Sequence, residues 1–351
     1  MHRNPRIGIN LHYDDLYSSA VASTRLLVEN RLIKATSDLE TVVHDELKAT
    51  IAEHKAVVIA SDFGLQRRLA SRLGRLGGGG LEVSAANLGV DYMGGRQMRT
   101  ASRMSHLRRR FRKNTSRGAR ILRISRGCTK TATDVFRQGL VPSIGYGSQI
   151  WGMPPDLLAK LRASYASFVM GHGQCKNHSK VLLLRGDPTC IIATAPLATL
   201  VDLIWASLTG IPGLPSLPQL CSWWQAISQV PKRWDQIRGP IGATKRMMQH
   251  LGWTIKDERP IIFRSRDGTE LNIFEMGPQL VKAQIYRDWH DMLAETLASK
   301  HGLPDGERID FEHAKKHLSN NSHLSDREKA TAANFLVWGL LGCAEANQSR
   351  L

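Results

Sequence analysis

One segment of the chain carries most of its excess positive charge. Residues 96 to 130 include 13 lysines and arginines, and no acidic residue occurs between Asp91 and Asp134. These cations repel one another strongly unless a polyanion screens them. The segment therefore forms either a solvated face or a nucleic-acid-binding surface, and we favour the second interpretation.

The same segment is helical in character. Met104, Leu107 and Phe111 lie on one face at helical spacing and are predicted to be packing residues, while Arg103, Arg110 and Arg117 recur every seven residues on another face. Contacts between such arginines and the phosphates of a nucleic acid give affinity but do not select a base sequence. The residues predicted to contact phosphates are Arg103, Arg108, Arg109, Arg110, Arg112, Lys113, Arg117 and Arg120.

The whole composition agrees with a globular, basic protein. The 351 residues include 48 lysines and arginines and 31 aspartates and glutamates, which gives a formal net charge of +17. Hydrophobic residues make up 42% of the sequence. These values point away from disorder and fibrous repeats and toward a polyanionic partner. The five scattered cysteines form no C-x-x-C pair, so neither a disulfide framework nor a zinc knuckle is indicated.

The sequence predicts a nuclear or cytoplasmic protein that is not secreted and has no membrane partner. The first ten residues, MHRNPRIGIN, lack an apolar signal core. The most apolar long run, residues 190–210, is interrupted by Pro196 and Asp202, and we interpret it as a buried helix and not as a membrane span.

A pair of aspartates follows a predicted strand near the start of the chain. In RIGINLHYDDL, apolar and polar residues alternate up to His12, as in a half-buried strand, and Asp14 and Asp15 fall at its tip. Adjacent carboxylates repel one another, so a nearby positive charge is expected, and a divalent metal is the obvious candidate. Taken alone, the pair is also a common turn sequence.

The next segments alternate between helix and strand signals. One or two helices are expected over residues 23–54, and KAVVIAS, Lys55 to Ser61, is predicted to be a strand. FGLQRRLASRLGRL has leucines at spacings of three and four and ends at four glycines, which predicts a helix followed by a flexible turn. LEVSAANLGVDYMGG supplies a strand or a strand pair.

This order of segments resembles the reverse transcriptases of non-LTR retrotransposons, from the aspartate hairpin of the palm through the thumb. LHYDDL stands where that family has an aromatic residue, any residue and two aspartates, with His12 in the aromatic position. NLGVD matches the hairpin that grips the primer, and FRQGLVPSIGYG looks like the segment after the thumb. The resemblance extends over about residues 7 to 170.

The resemblance implies an RNA-directed DNA polymerase that binds RNA and DNA as primer-template. It makes Asp14 a Mg²⁺ ligand with Asp15 supporting it, and it aligns Lys55 with a family lysine, so these three are the candidate catalytic residues. The first palm aspartate and the fingers are expected in a missing N-terminal polymerase portion. The chain is therefore predicted to be inactive alone while still binding nucleic acid.

The predicted fold is α+β: a truncated antiparallel palm with packed helices, a basic helical thumb and a mostly helical C-terminal region. The corresponding domains are residues 1–95, 96–170 and 171–351, the last of unknown role. Two alternatives remain open. One is a non-catalytic, basic nucleic-acid-binding protein, and the other is an interaction protein whose basic face meets acidic proteins.

Overall fold

The chain divides into two compact units, Met1–Arg103 and Met104–Leu351. A computed structural model of the protein describes most of both. The described residues are 7–12, 15–53, 56–60, 62–77, 84–87, 90–93, 105–170, 178–211, 214–227, 233–237, 239–256 and 259–300.

In its described residues, the first unit has two antiparallel strand pairs and two α-helices. Its elements are β1 (Ile7–His12), β2 (Asp15–Ala20), α1 (Arg25–Thr41, continued by a π-helical turn Val42–Glu46), α2 (Phe63–Arg72, followed by a 3-10 turn Gly74–Gly77), β3 (Ser84–Asn87) and β4 (Val90–Met93). β1 pairs antiparallel with β2, and β3 pairs antiparallel with β4. The predicted first strand, the strand pair around NLGVD and the leucine-rich helix are all present.

Both helices of this unit begin at a capping side chain. The Oγ1 atom of Thr24 accepts from the Leu27 amide at 3.3 Å, and Asp62 Oδ1 accepts from the Leu65 amide at 2.9 Å. Such caps satisfy amides that have no partner within the helix. Of the one or two helices expected over residues 23–54, the structure has a single α-helix, α1, which continues without a break through Ser37 and Asp38.

The strand predicted over KAVVIAS is wrong for its described part, residues 56–60, which form no strand. A strand needs a neighbouring strand to pair with, but the carbonyl of Val58 accepts from the side-chain amide of Gln66 at 2.7 Å. Val58 also packs with Leu65 and Leu69 in the small core of this unit. The apolar run therefore covers α2 rather than joining a sheet.

The second unit is built mainly from helices. They are α3 (Ser105–Gly127), α4 (Thr129–Val135, continued by a π-helical turn Phe136–Leu140), α5 (Val141–Gly145), α6 (Ser148–Trp151), α7 (Pro155–Met170), α8 (His178–Arg185), α9 (Cys190–Leu208), α10 (Leu217–Ala226), α11 (Pro240–Leu251) and α12 (Ile273–Lys300). α12 is kinked at Gly277, which has non-helical backbone angles and precedes Pro278.

The central helix of this unit is α9, which packs against α5, α6, α10, α11 and α12. Its side chains are buried almost continuously from Ile192 to Val201. By length and composition it is the one helix in the described part of the chain that could cross a membrane. Its burial against five neighbours matches the core helix predicted from the sequence.

A small antiparallel sheet is formed by the segment that connects α11 to α12 in the sequence. Its strands are β5 (Thr254–Ile255), β6 (Ile262–Arg264) and β7 (Glu270–Asn272), in the order β5-β6-β7. The central strand contributes the fully buried Phe263 to the core. The protein is thus mostly helical with little sheet, which is α+β in broad terms.

Candidate nucleic-acid interface

The helix α3 coincides with the most basic part of the sequence, and its contacts with the other described helices lie on one side of it. It contacts α4, α5 and α7. Its inward positions are Leu107, Asn114, Ile121 and Ser125, all buried, with Phe111 partly buried against the same core. These positions are separated by four or seven residues, which places them on one side of a helix with 3.6 residues per turn.

The opposite side of α3 carries a surface that we call the basic face. Its members are Arg109, Arg112, Lys113, Arg120 and Arg123. All five are exposed, and within the part of the chain that the structure describes none of them forms an ion pair. They span 15 residues, and the 14 steps from Arg109 to Arg123 cover about 21 Å of helix axis at about 1.5 Å per residue. Ser116 lies among them and is also exposed.

Many cations elsewhere in the described chain have an acidic partner. Glu29 forms ion pairs with Arg68 and Arg72, and Glu270 forms ion pairs with Lys256 and Arg264, with N–O distances between 2.8 and 3.2 Å. Further pairs join Arg25 to Asp62, Arg75 to Glu53, Arg162 to Asp187, Arg266 to Glu295 and Lys282 to Asp202. The basic face differs because α3 contains no acidic residue at all.

Three of the residues predicted to contact phosphate instead contact the protein itself. Arg108 pairs with Asp156 on α7 at 3.0 Å. The guanidinium of Arg110 lies over the ring of Tyr146, 5.7 Å from its centroid. Arg117 donates to the hydroxyl of Ser143 at 3.4 Å. Their charges still add to the local field, but their side chains are held at the flanks of α3.

Aromatic side chains form a firm support beneath this helix. Phe136 packs against Tyr165 in a tilted arrangement and against Phe168 edge to face, both on α7, with 5.4 Å between ring centroids in each pair. Arg137 donates to the Tyr165 hydroxyl at 3.0 Å, and burial raises the pKa of Tyr165 above its ordinary value. Gly118 of α3 faces Phe168, and a Cβ added there would lie 3.9 Å from the ring, an ordinary packing distance.

The chain has no match among protein-family models, curated proteins or solved structures.

The candidate catalytic residues fall largely outside the described residues. Asp14, Lys55 and the predicted phosphate contact Arg103 are not described, and Asp15 is described by its backbone only, as the first residue of β2 paired with His12. The magnesium site and the catalytic roles of these residues remain predictions from the resemblance.

Of the predicted contacts, four belong to the basic face, namely Arg109, Arg112, Lys113 and Arg120. The fifth member, Arg123, was missed by the sequence analysis. A helical-wheel projection of α3 with Leu107 and Ile121 facing the core would have identified Arg123. It lies eleven residues after Arg112, which is about three turns, and therefore on nearly the same side of the helix.

Proposed function

We propose that this protein binds nucleic acid through the basic face of α3, chiefly by contacts to phosphate. The observation that carries the proposal is the line of five exposed cations without an acidic neighbour on the same helix. Holding these charges side by side on a rigid helix costs repulsion energy, and a regular polyanion offsets that cost. Guanidinium groups also match phosphate oxygens in geometry.

The composition of the basic face favours backbone contacts over base contacts. Between these cations and on the same side of α3, the exposed positions are Ser116 and Ala119, while the exposed Arg117 turns toward Ser143. Neither Ser116 nor Ala119 offers an aromatic ring on which a base could stack. Arginine and lysine contacts to phosphate position a ligand but carry no sequence information directly. We therefore expect affinity that is similar for duplexes of different sequence.

We also propose, from the resemblance, that the chain derives from a non-LTR-type reverse transcriptase, with a truncated palm, a basic thumb centred on α3, and Mg²⁺ held by Asp14 and Asp15. Support comes from the antiparallel pairing of β1 with β2 on either side of Asp14, and of β3 with β4 around residues 88 and 89. Primer extension in Mg²⁺, abolished by Asp14→Asn, would support this second proposal.

The binding proposal is tested by two variants that remove the same number of charges. One replaces Arg109, Arg112 and Arg120 of the basic face by glutamine. The control replaces Lys256, Arg264 and Arg266, which form ion pairs with Glu270 or Glu295. Affinity for a fluorescent 20-base-pair duplex is measured by anisotropy at about 0.15 M salt.

The basic-face variant is expected to bind the duplex roughly a hundredfold more weakly, since each lost phosphate contact removes about 0.9 counterion. The control should retain affinity within a few fold. Equal losses in both variants would show that only the net charge matters. Tight binding of the unmodified chain to an acidic peptide but not to the duplex would favour the interaction-protein alternative instead.

A further inference from the structure

A serine hydroxyl lies in the middle of the basic face. Ser116 is exposed, and its Oγ donates to the carbonyl of Lys113 in its own helix at 3.3 Å. Arg112 and Lys113 precede it by four and three residues, and Arg120 follows it by four. Residues at these separations are neighbours on a helix surface, with about 5 to 6 Å between Cβ atoms.

We propose that Ser116 is a phosphorylation site and that its phosphate switches nucleic-acid binding off. This inference rests on the proposed function of the basic face. The donor is ATP, and the catalyst is a protein kinase with an acidic substrate cleft. The serine oxygen bonds to the γ-phosphorus, the bond to the leaving ADP breaks, and the hydroxyl proton passes to the catalytic carboxylate of the kinase.

The charges around Ser116 fit such a kinase. Four cations, Arg109, Arg110, Arg112 and Lys113, lie within the seven residues before the serine, and no acidic residue occurs on α3. Charge complementarity between an acidic cleft and a basic segment selects substrates and excludes wrong ones. The sequence around Ser116 is therefore attractive to this class of kinase.

The residues around Ser116 also favour the local opening of α3 that a kinase requires. Residues 114–118 are Asn-Thr-Ser-Arg-Gly, and four of these five residue types are weak helix formers. The side chains of Asn114 and Ser116 donate to backbone carbonyls of their own helix, at 2.9 and 3.3 Å, and such bonds compete with regular helix geometry. These features lower the cost of opening α3 locally around Ser116, where a kinase needs an extended substrate.

A phosphate at this position would neutralise the face from within. It carries about −1.5 to −2 charges at pH 7 and forms charge-assisted hydrogen bonds with arginine. Arg112, Lys113 and Arg120 surround it, so two to three of the five cations would pair with it instead of with nucleic acid. The remaining negative charge would repel the phosphates of a ligand.

Ser167 on α7 provides a matched control. It is exposed, lies within a helix, and its hydroxyl donates to the carbonyl of Ala163 at 2.9 Å, much as Ser116 bonds to Lys113. It does not belong to the basic face. A phosphate there changes the net charge of the protein by the same amount without entering the face.

The experiment uses the full chain in four forms: unmodified, Ser116→Ala, and with phosphoserine incorporated during synthesis at 116 or at 167. Circular dichroism checks the helix content of each form. Duplex binding is measured by anisotropy between about 0.05 and 0.3 M salt, and the unmodified and Ser116→Ala chains are also incubated with labelled ATP and a kinase selective for basic substrates.

We expect phosphoserine at 116 to weaken duplex binding roughly thirtyfold near 0.15 M salt. The plot of log affinity against log salt should become shallower by about 1.8, the value for two lost phosphate contacts. Phosphoserine at 167 and Ser116→Ala should leave binding within about twofold. Kinase labelling should be lost in Ser116→Ala.

Undiminished binding with phosphoserine at 116, or labelling that persists in Ser116→Ala, would overturn this inference alone. Equal weakening by both phosphoserines would also overturn it, because the effect would then be one of net charge. If the unmodified chain fails to bind the duplex, the proposed function falls, and this inference falls with it.

Discussion

Arg108 of α3 forms an ion pair with Asp156 of α7, with 3.0 Å between Nη1 and Oδ2, while the adjacent Arg109 belongs to the basic face. Successive residues on a helix differ by about 100° in direction, so one of two neighbouring arginines binds the protein and the other is left for a ligand. This difference gives a sharp test of which charges contact nucleic acid.

Arg109→Gln is expected to make the slope of log affinity against log salt shallower by about 0.9, as for one lost phosphate contact on duplex. Arg108→Gln should change that slope far less, and its effect on stability should stay within about 1 kcal/mol because both partners are exposed. Fluorescence anisotropy with a labelled duplex checks the slopes. Equal slopes for the two variants would contradict the assignment of the basic face.

The core of the second unit contains a buried ion pair whose loss should be costly. Asp187 Oδ2 accepts from Arg162 at 2.7 Å and from Trp289 Nε1 at 3.0 Å, and Oδ1 accepts from the amide and hydroxyl of Thr189. Arg162 also lies over the ring of Trp289. The side chain of Asp187 is only 3% exposed, so its carboxylate has little contact with water.

Asp187→Asn should destabilise the protein by about 3 kcal/mol, because the guanidinium of Arg162 remains largely buried without a counter-charge. Urea unfolding followed by tryptophan fluorescence measures the change. The control is Asp202→Asn, which breaks the more exposed pair with Lys282 and should cost less than about 1 kcal/mol. Similar losses for the two variants would contradict this ranking.

The first unit should lose stability in acid through Glu29. This buried carboxylate receives Arg72 and Arg68, and the hydrogen bond from Arg72 is the main reason that its pKa lies below the ordinary 4.5. A carboxylate with a lowered pKa in the folded state contributes stability above its unfolded pKa, and loses that contribution as the pH falls through the folded value.

Glu29→Gln should therefore lower the melting temperature most at pH 6 to 7, and the difference from the unmodified chain should shrink as the pH falls below 4.5. Differential scanning calorimetry at a series of pH values makes this comparison, and other carboxylates cancel because they are common to both proteins. A difference that stays constant down to pH 2 would rule out the ion pairs as its source.

Gly152 should tolerate no side chain. Its φ is +72°, and an added Cβ would lie 2.2 Å from Cζ3 of Trp234. Gly210 has the same φ but nothing within 4 Å of such a Cβ, so it isolates the backbone strain. Alanine at 210 is expected to cost about 1 to 2 kcal/mol.

Alanine at 152 should cost clearly more than alanine at 210, since the ring of Trp234 must also shift. Chemical denaturation of both variants gives the two free energies of unfolding. Equal costs would mean that Trp234 moves away freely and that the close approach carries no packing energy.

The local elements were largely predictable from the sequence. Leucine spacing predicted α2, and the apolar run interrupted by Pro196 predicted the buried α9. In contrast, residues 56–60 have the composition of a strand, but their contacts with Gln66 and Leu65 come from the tertiary arrangement. Short apolar runs do not specify their partners, which is why periodicity alone misassigned this segment.

The same reason limits the prediction of the site. Charge density identified α3 as the basic helix, yet the ion pair of Arg108 with Asp156 and the position of Arg110 over Tyr146 join residues far apart in the chain. A list of arginines cannot separate those held by the protein from those free to bind phosphate. That separation required the packing of α3 on α5 and α7.

The salt dependence of duplex binding by the unmodified chain tests the central claim most directly. If all five cations of the basic face contact phosphates, log affinity should fall with log salt at a slope of about −4.5, and the slope should recover by about 2.7 in the Arg109, Arg112 and Arg120 glutamine variant. A slope near zero, or one that is unchanged in that variant, would contradict binding through the basic face.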